Sequence, residues 1–337
     1  MAFGQTAYTT PVGYVSLGNT NAAPAWPTDT DIYVSVPLER EAEWQGVVVS
    51  VDVVNSIITL NTTPDFVVDK WLPSVTANPA TLDPYILKIE GTAPTTPSAG
   101  LVAQITDNDA NTVTVVVPPG DSLAGVAVGN SVSIRRAFTP QSFFAGNTLP
   151  ANVQILLWDG ALGIEQSFTG SYTYKIATNT WEDDTFGGDV THAILFPSEL
   201  LVLRNQSGAD VSSLVVSGTV PTSSQRTILS VPDAAAGQDI PLSYFSPVGQ
   251  LVADSGLPVV TGDQILAYDN VTPGIDKSYA ASYTYKAATN EWEDDTFGGD
   301  ASSFLKFEGG VSYYLRKPAT TAVTGDAVWT NLPSYIP

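Results

Sequence analysis

The sequence predicts an all-β protein with two tandem β-sandwich-like modules, the first interrupted by a small β-barrel insertion. Three observations lead to this prediction. Thr, Ser, Val, Ala, Gly and Pro dominate a chain of 337 residues in which only 14% are charged, a composition typical of short strands joined by turns. No long segment has the periodicity of an amphipathic helix. The third observation is a long internal repeat.

The repeat is strongest over residues 171–189 and 282–300, which are identical at 17 of 19 positions. Over the seven positions that follow, only Phe196 and Phe307 agree. We infer that a physical constraint, either packing or a shared ligand, has kept the sequence of this block the same in the two copies. Weaker matches extend the self-similarity, which indicates a repeated structural module. They are QILLWD with QILAYD, Gly163-Ile164 with Gly274-Ile275, and Leu203-Arg204 with Leu315-Arg316.

An upstream match, DIYVSVPL from Asp31 with DIPLSYFS from Asp239, extends the duplication towards the start of the chain. The insertion contains β-branched runs around Asn/Asp turns, the hairpin pattern, and closure into a barrel removes exposed strand edges. The predicted units are 1–30 (N-terminal strand segment), 31–44 plus 138–221 (first β-module), 45–137 (inserted small β-barrel), 222–238 (connector) and 239–337 (second β-module).

The formal charge is −21, from 34 acidic and 13 basic residues. This surface excludes nucleic acid and anionic membranes as expected partners, because both are bound through clustered Lys and Arg. The adjacent basic pairs Arg135-Arg136 and Arg316-Lys317 fall at predicted strand ends, where we expect solvated side chains. The lack of cysteine excludes disulfides and thiolate chemistry.

No apolar run approaches the ~20 residues that a membrane-spanning helix needs. The start Ala2-Phe3-Gly4-Gln5 resembles the small-residue end of a secretory signal. We therefore expect an exported protein, either secreted or at the cell surface. The alternative is an ordinary cytoplasmic start.

Each copy of the repeated block predicts a β-hairpin with an aromatic cluster. Two tyrosines spaced two residues apart share one face of a strand, and a tryptophan joins them across the turn. These side chains either pack within each sheet, the commoner outcome, or form a platform that binds sugar rings. They are Tyr172, Tyr174 and Trp181 in the first copy and Tyr283, Tyr285 and Trp292 in the second.

Each hairpin continues into the acidic segment EDDTFGGD. Ca²⁺ takes several oxygen ligands, and the two glycines allow the loop to fold back on its carboxylates. The alternative is a solvated turn in which aspartates cap backbone amides. The candidate calcium ligands are Asp183, Asp184, Asp189, Asp294, Asp295 and Asp300.

Catalysis has little support in the sequence. His192 is the single histidine, and its counterpart in the repeat is Ser303. A Ser-His-Asp system would therefore exist in one module only. A glycosidase that uses a carboxylate pair is the remaining enzymatic alternative, but identical acidic hairpins in tandem are typical of repeated structure. We predict that the protein is not an enzyme and has no catalytic residues.

Several segments together resemble an uncharacterised family of exported bacterial all-β proteins. They are PVGYVSL, DIYVSVPL, VVSVDVVNSIITL, VSGTVPTSSQRT and VWTNLPSYI, with the paired QILLWD and QILAYD. The resemblance spans nearly the whole chain and implies a signal peptide, an N-terminal PVG strand and a duplicated aromatic-hairpin module. WEDDTFGGD departs from the family, for which a more variable Gly/Asn turn is expected. The resemblance implies no activity.

These observations predict an extracellular structural protein that self-assembles into a filament or layer through β-strand and edge contacts, with stabilisation by calcium. Tandem modules and terminal strands that could complete a neighbour's sheet favour this function. The alternative is a glycan-binding or adhesive cell-surface protein that uses the Tyr/Trp hairpins.

Overall fold

The fold is all-β, as the composition predicts. A computed structural model describes residues 11–20, 23–61, 67–73, 82–158, 163–164, 168–197 and 199–336. Short helical turns interrupt the strands at Leu123–Gly125, Pro140–Phe143 and Val252–Asp254. Within the described ranges, no helix has the length and apolar character that a bilayer-spanning segment requires.

The first module combines a five-stranded antiparallel sheet with a two-stranded sheet. The larger sheet contains β2 (Thr30–Val34), β9 (Val153–Trp158), β10 (Phe168–Lys175), β11 (Thr180–Asp183) and β12 (Leu201–Asn205), in the order β11-β10-β9-β12-β2. The smaller sheet pairs β1 (Val12–Ser16) with β13 (Val215–Thr219). Apolar side chains of both sheets form one buried core, as in a sandwich.

The second module repeats this arrangement. Its five-stranded sheet contains β15 (Gln238–Ser243), β17 (Gln264–Ala267), β18 (Ala281–Lys286), β19 (Glu291–Asp294) and β21 (Ser312–Lys317), in the order β19-β18-β17-β21-β15. Its two-stranded sheets pair β14 (Gln225–Val231) with β22 (Gly325–Asn331), and β16 (Gln250–Leu251) with β20 (Lys306–Phe307). The strand order of the large sheet is therefore the same in both modules.

Six strands form a closed barrel between β2 and β9. They are β3 (Ala42–Asp52), β4 (Ile57–Leu60), β5 (Tyr85–Ile89), β6 (Val102–Asn108), β7 (Thr112–Val116) and β8 (Ser131–Arg136), in the order β3-β4-β7-β6-β5-β8. Buried valine, leucine, isoleucine and tryptophan side chains fill its interior, since alternate residues of each strand point inward.

The terminal strands take one of two pairings that the sequence allows, with their own module or with an open edge of a neighbour. In the structure β1 pairs with β13 and β22 pairs with β14, both within the chain. β14 itself lies within the segment 222–238 that we expected to be a connector. Each pairing satisfies the backbone groups on one edge of the terminal strand within the same chain.

The two modules pack against each other through equivalent surfaces. The backbone N–H of Asp31 donates to the carbonyl oxygen of Gly274 at 2.8 Å, and that of the equivalent residue, Asp239, donates to Gly163 at 3.0 Å. The interface is therefore approximately two-fold symmetric, like that of a homodimer joined into one chain. Its apolar centre includes Tyr33, Leu156, Val202, Leu266 and Tyr314.

Arg135 and Lys317 are buried in ion pairs and Arg316 is largely buried in one, which corrects the expectation of solvated side chains for these three residues. Arg316 donates two hydrogen bonds to Asp239, at 2.7 and 2.8 Å, and Lys317 donates to Asp263 at 2.6 Å. Arg135 lies in a buried cluster between the barrel and the first module. The reason is that these strand ends meet other strands, so each buried cation has a carboxylate partner.

Candidate functional site

The repeated block forms the same hairpin in both modules. Tyr174 pairs with Trp181 across β10 and β11, and Tyr285 pairs with Trp292 across β18 and β19. The ring centroids of the two pairs are 5.4 and 5.2 Å apart. The Tyr174 hydroxyl also donates to the side chain of Asn179 at 2.8 Å, in a turn where Asn179 has a φ of 55°. Asparagine tolerates this left-handed conformation.

The tryptophans of the predicted sugar platform lie in the module cores. Trp181 is 1% exposed and stacks on Phe144 with ring centroids 5.1 Å apart, and Trp292 is 3% exposed. Their faces are in contact with protein, so neither offers a surface for a sugar ring in this conformation. The remaining aromatic residues of the proposed platform, Tyr172, Tyr174, Tyr283 and Tyr285, pack half-buried against the same cores.

The acidic segment forms a loop that turns back on its own strand. The Asp183 carboxylate accepts hydrogen bonds from the amides of Thr185 and Phe186, at 2.7 and 3.1 Å. Gly187 and Gly188 then adopt φ values of 72° and 103°, which disfavour residues with a Cβ atom. Asp294 and the glycines of the second copy repeat this geometry.

The returning segment covers the outer edge of the sheet. In the first copy, the amide of Asp183 donates to Gly188 at 3.0 Å and that of Val190 donates to Trp181 at 2.8 Å. In the second copy, Asp294 donates to Gly299 at 3.0 Å. The backbone of β11 and β19 is therefore satisfied within the chain, which blunts two edges that otherwise invite strand pairing.

The other aspartates also have local partners. Asp184 accepts from the hydroxyls of Ser171 and Thr173 at 2.7 and 2.5 Å, and Asp295 repeats these bonds. Asp189 and Asp300 each accept from the amide two residues later, at 2.8 Å. The hydroxyl of that residue, Thr191 or Ser302, and then its amide lower the pKa of the carboxyl. The six aspartates thus act as turn caps and cross-strand acceptors.

Over the described residues, no group of three or more His, Asp or Glu side chains has an arrangement that could hold a metal ion. Calcium binding by the six aspartates therefore stays a prediction. Calorimetric titration with Ca²⁺ tests it directly.

The feature of the repeated block that sequence reasoning missed is its phenylalanine. Phe186 and Phe297 are each 88% exposed, at the tips of loops 183–188 and 294–299, which we call the phenylalanine loops. No heavy atom outside the neighbouring residues comes within 4 Å of a Cβ built on their glycines, so the tips project into solvent. The sequence contained an indication of their importance, because both phenylalanines belong to the block that is nearly identical in the two copies.

A second feature is a cavity of about 370 Å³ where the barrel and both modules meet, which we call the junction cavity. Pro119 contributes from the barrel, Trp158 and Glu199 from the first module, and Pro241 and Phe245 from the second. Its volume lies in the range of small-ligand pockets, and such pockets occur preferentially between domains. Sequence periodicity gives no sign of it, because its walls come from three distant segments.

Glu199 is an unusual carboxyl in this cavity. Burial raises its pKa to about 7, because desolvation outweighs the hydrogen bond that its Oε2 accepts from the amide of Phe196 at 3.2 Å. The carboxyl is therefore protonated in a large fraction of molecules near neutral pH.

We expect wild-type stability to fall as the pH rises from about 4.5 to about 7, by up to about 3 kcal/mol. In this window the folded state keeps a proton on Glu199 that the unfolded state has released. Glu199→Gln should remove this component of the pH dependence, measured as denaturation midpoints across the window. Glu182→Gln, a half-exposed control, should retain it. Equal pH profiles for wild type and Glu199→Gln would contradict the prediction.

Comparisons of the chain with protein-family models, with curated proteins and with solved structures found no match. The functional argument therefore depends on the phenylalanine loops and the junction cavity.

Proposed function

We propose that the protein is an extracellular structural protein that assembles with copies of itself through its phenylalanine loops. The observation that carries this proposal is the exposure of Phe186 and Phe297 in a block that is otherwise occupied with folding. The other side chains described above for this block pack, cap a turn or close a sheet edge. An exposed ring adds nothing to those roles, whereas aromatic side chains are enriched in protein interfaces.

The structure favours loop contacts over strand exchange as the route of assembly. The terminal strands are paired within the chain, and the outer strands β11 and β19 are covered by their own loops. Contacts through side chains at loop tips need no strand to leave its sheet. Two tips per chain also supply more than one point of attachment, as an extended assembly requires.

We expect Phe186→Ser/Phe297→Ser to remain monomeric at concentrations where the wild type forms filaments or layers. The substitutions remove the exposed ring of each phenylalanine loop and leave the cores unchanged. Negative-stain microscopy and sedimentation velocity at physiological ionic strength measure the outcome, because added salt screens the repulsion of a −21 charge.

Val128→Ser is the matched control, because Val128 is 72% exposed but lies on the barrel, outside the repeated block. It should assemble as the wild type does. A wild-type chain that stays monodisperse at high concentration, with and without calcium, would refute self-assembly.

A further inference from the structure

The junction cavity lies where the approximate two-fold symmetry of the modules is broken. In the strand registers, Tyr33 of β2 corresponds to Pro241 of β15, because Asp31 and Asp239 precede them by two residues and pair with equivalent arginines. The QILLWD and QILAYD segments likewise align Trp158 with Tyr268.

One half of the interface contains a stacked ring pair. The rings of Tyr33 and Tyr268 have centroids 3.9 Å apart and planes inclined by 23°. In the other half, Pro241 has no aromatic ring to place against Trp158, and both residues line the junction cavity. The cavity therefore includes the position that the Tyr33 ring occupies in the symmetry-related half, and the barrel, which has no counterpart there, supplies another of its walls.

Among the aromatic side chains that the structure describes, Phe186 and Phe297 are the most exposed, at 88% each. We propose that the phenylalanine of one chain enters the junction cavity of a second copy and packs against Trp158, as Tyr33 packs against Tyr268. This inference rests on the proposed self-assembly and identifies the surface that receives the loop.

The cavity suits an uncharged ring. A benzene-sized molecule fits a cavity of about 150 Å³, so about 370 Å³ accommodates a phenyl ring with part of its loop. Its walls are mainly apolar, and their charged part consists of Glu199, Asp326 and the ion pair of Arg226 with Asp121. Glu199 is protonated in a large fraction of molecules near neutral pH, which lowers the cost of covering it with an apolar group.

The geometry also explains how growth would continue. The loops and the cavity are different surfaces, so the contact is heterologous, and a heterologous contact that does not close a ring generates a filament. In one half of the interface, the Tyr33 ring fills the equivalent space against Tyr268. The half that contains Pro241 and Trp158 is therefore the one that can receive a phenylalanine ring.

The chain itself supplies the test substitution. Pro241→Tyr places at the cavity the residue that already fills the equivalent position, and the matched control Pro241→Ala leaves the space open. We expect Pro241→Tyr to be monomeric under conditions where Pro241→Ala and the wild type assemble, by sedimentation velocity. Circular dichroism and the melting temperature establish whether each variant is folded. If Pro241→Tyr does not fold, Ser230→Trp is the second variant, because its side chain fills the cavity from another wall.

Mixing two assembly-deficient chains sharpens the experiment. Phe186→Ser/Phe297→Ser keeps the cavity and lacks the rings, whereas Pro241→Tyr keeps the rings and lacks the cavity. Each should be monomeric alone. When mixed, they should form complexes of limited size, in which one Pro241→Tyr chain binds one or two ring-deficient chains through its two phenylalanine loops. They should form no polymer, because the ring-deficient chains have no rings with which to bind a further copy.

The possible results separate the two proposals. If the ring-deficient chain is monomeric but the folded cavity-filled chains assemble normally, the cavity is not the receptor and self-assembly through the loops still stands. Failure of the mixed chains to associate also overturns the cavity assignment. A wild type that never assembles overturns both proposals.

Discussion

Arg135→Ala should lower the free energy of unfolding by about 3–5 kcal/mol, because it leaves the buried carboxylate of Glu39 and the largely buried carboxylate of Glu90 with one cation. Arg135 donates to Glu90 at 2.7 Å and also pairs with Glu39, whose other cationic partner is Lys88. Lys88, which is 1% exposed, is then the remaining cation beside both carboxylates. Denaturant unfolding followed by circular dichroism measures the change.

Arg136→Ala is the matched control for this prediction. Arg136 is the next residue along β8 and pairs with Glu43 at 2.8 Å, but both side chains are partly exposed. Its loss should cost less than about 1 kcal/mol, as for other surface ion pairs. Equal destabilisation by the two substitutions would show that the buried cluster has no special role.

The cluster also holds the barrel in position. Glu39 follows β2 of the first module, whereas Lys88, Glu90 and Arg135 belong to the barrel. Burial acts to raise the pKa of Glu90, but Lys88, Arg135 and the hydroxyls of two serines outweigh it, so this pKa lies below its ordinary value. The stability that this ionised carboxylate contributes is present above the ordinary glutamate pKa and is lost on acidification.

Trp181→Ala should destabilise the first module by about 3–5 kcal/mol, through lost burial and the cavity left behind. Trp181 packs between Phe144 and Tyr174 in the core, with ring centroids 5.1 and 5.4 Å away. Trp292→Ala should have a similar effect in the second module, since Trp292 is also buried. Thermal and denaturant unfolding of each variant measure the loss.

Phe186→Ala, in the same block, is the control. Its ring is 88% exposed, so its removal should change stability by no more than about 0.5 kcal/mol. A Trp181→Ala chain as stable as Phe186→Ala would contradict the assignment of the tryptophan to the core. If that chain also lost binding on a glycan array, the sugar-platform interpretation would be preferred.

The internal repeat made much of the fold predictable. A strand of five or six residues has too few contacts to fix its partner from sequence, but two matching copies constrain each other. The weak match of Asp31 with Asp239 places both residues at equivalent strand positions, each paired with an arginine. The hairpin at 171–189 was equally predictable, because alternating aromatic residues and an Asn-containing turn favour a hairpin through interactions between residues close in sequence.

The candidate site was less predictable. The sequence suggests the aspartates of the repeated block as metal ligands. In the structure they accept hydrogen bonds from amides and hydroxyls that only the folded loop brings near them. Whether an aromatic side chain is buried is equally a tertiary matter. Trp181 and Phe186 lie five residues apart in the repeated block, yet Trp181 is in the core and Phe186 is in solvent.

The sequence by itself determined the all-β class, the duplication and the aromatic hairpins, because these depend on composition, alternation and turn residues that act over short distances. Tertiary structure decided which strands became partners, which charges were buried and where the junction cavity lies. Those properties depend on contacts between segments far apart in the chain. The cavity lies between the barrel and both modules, at the place where Pro241 stands in one half of the interface and Tyr33 in the other, and this difference has a consequence only when the three units are packed together.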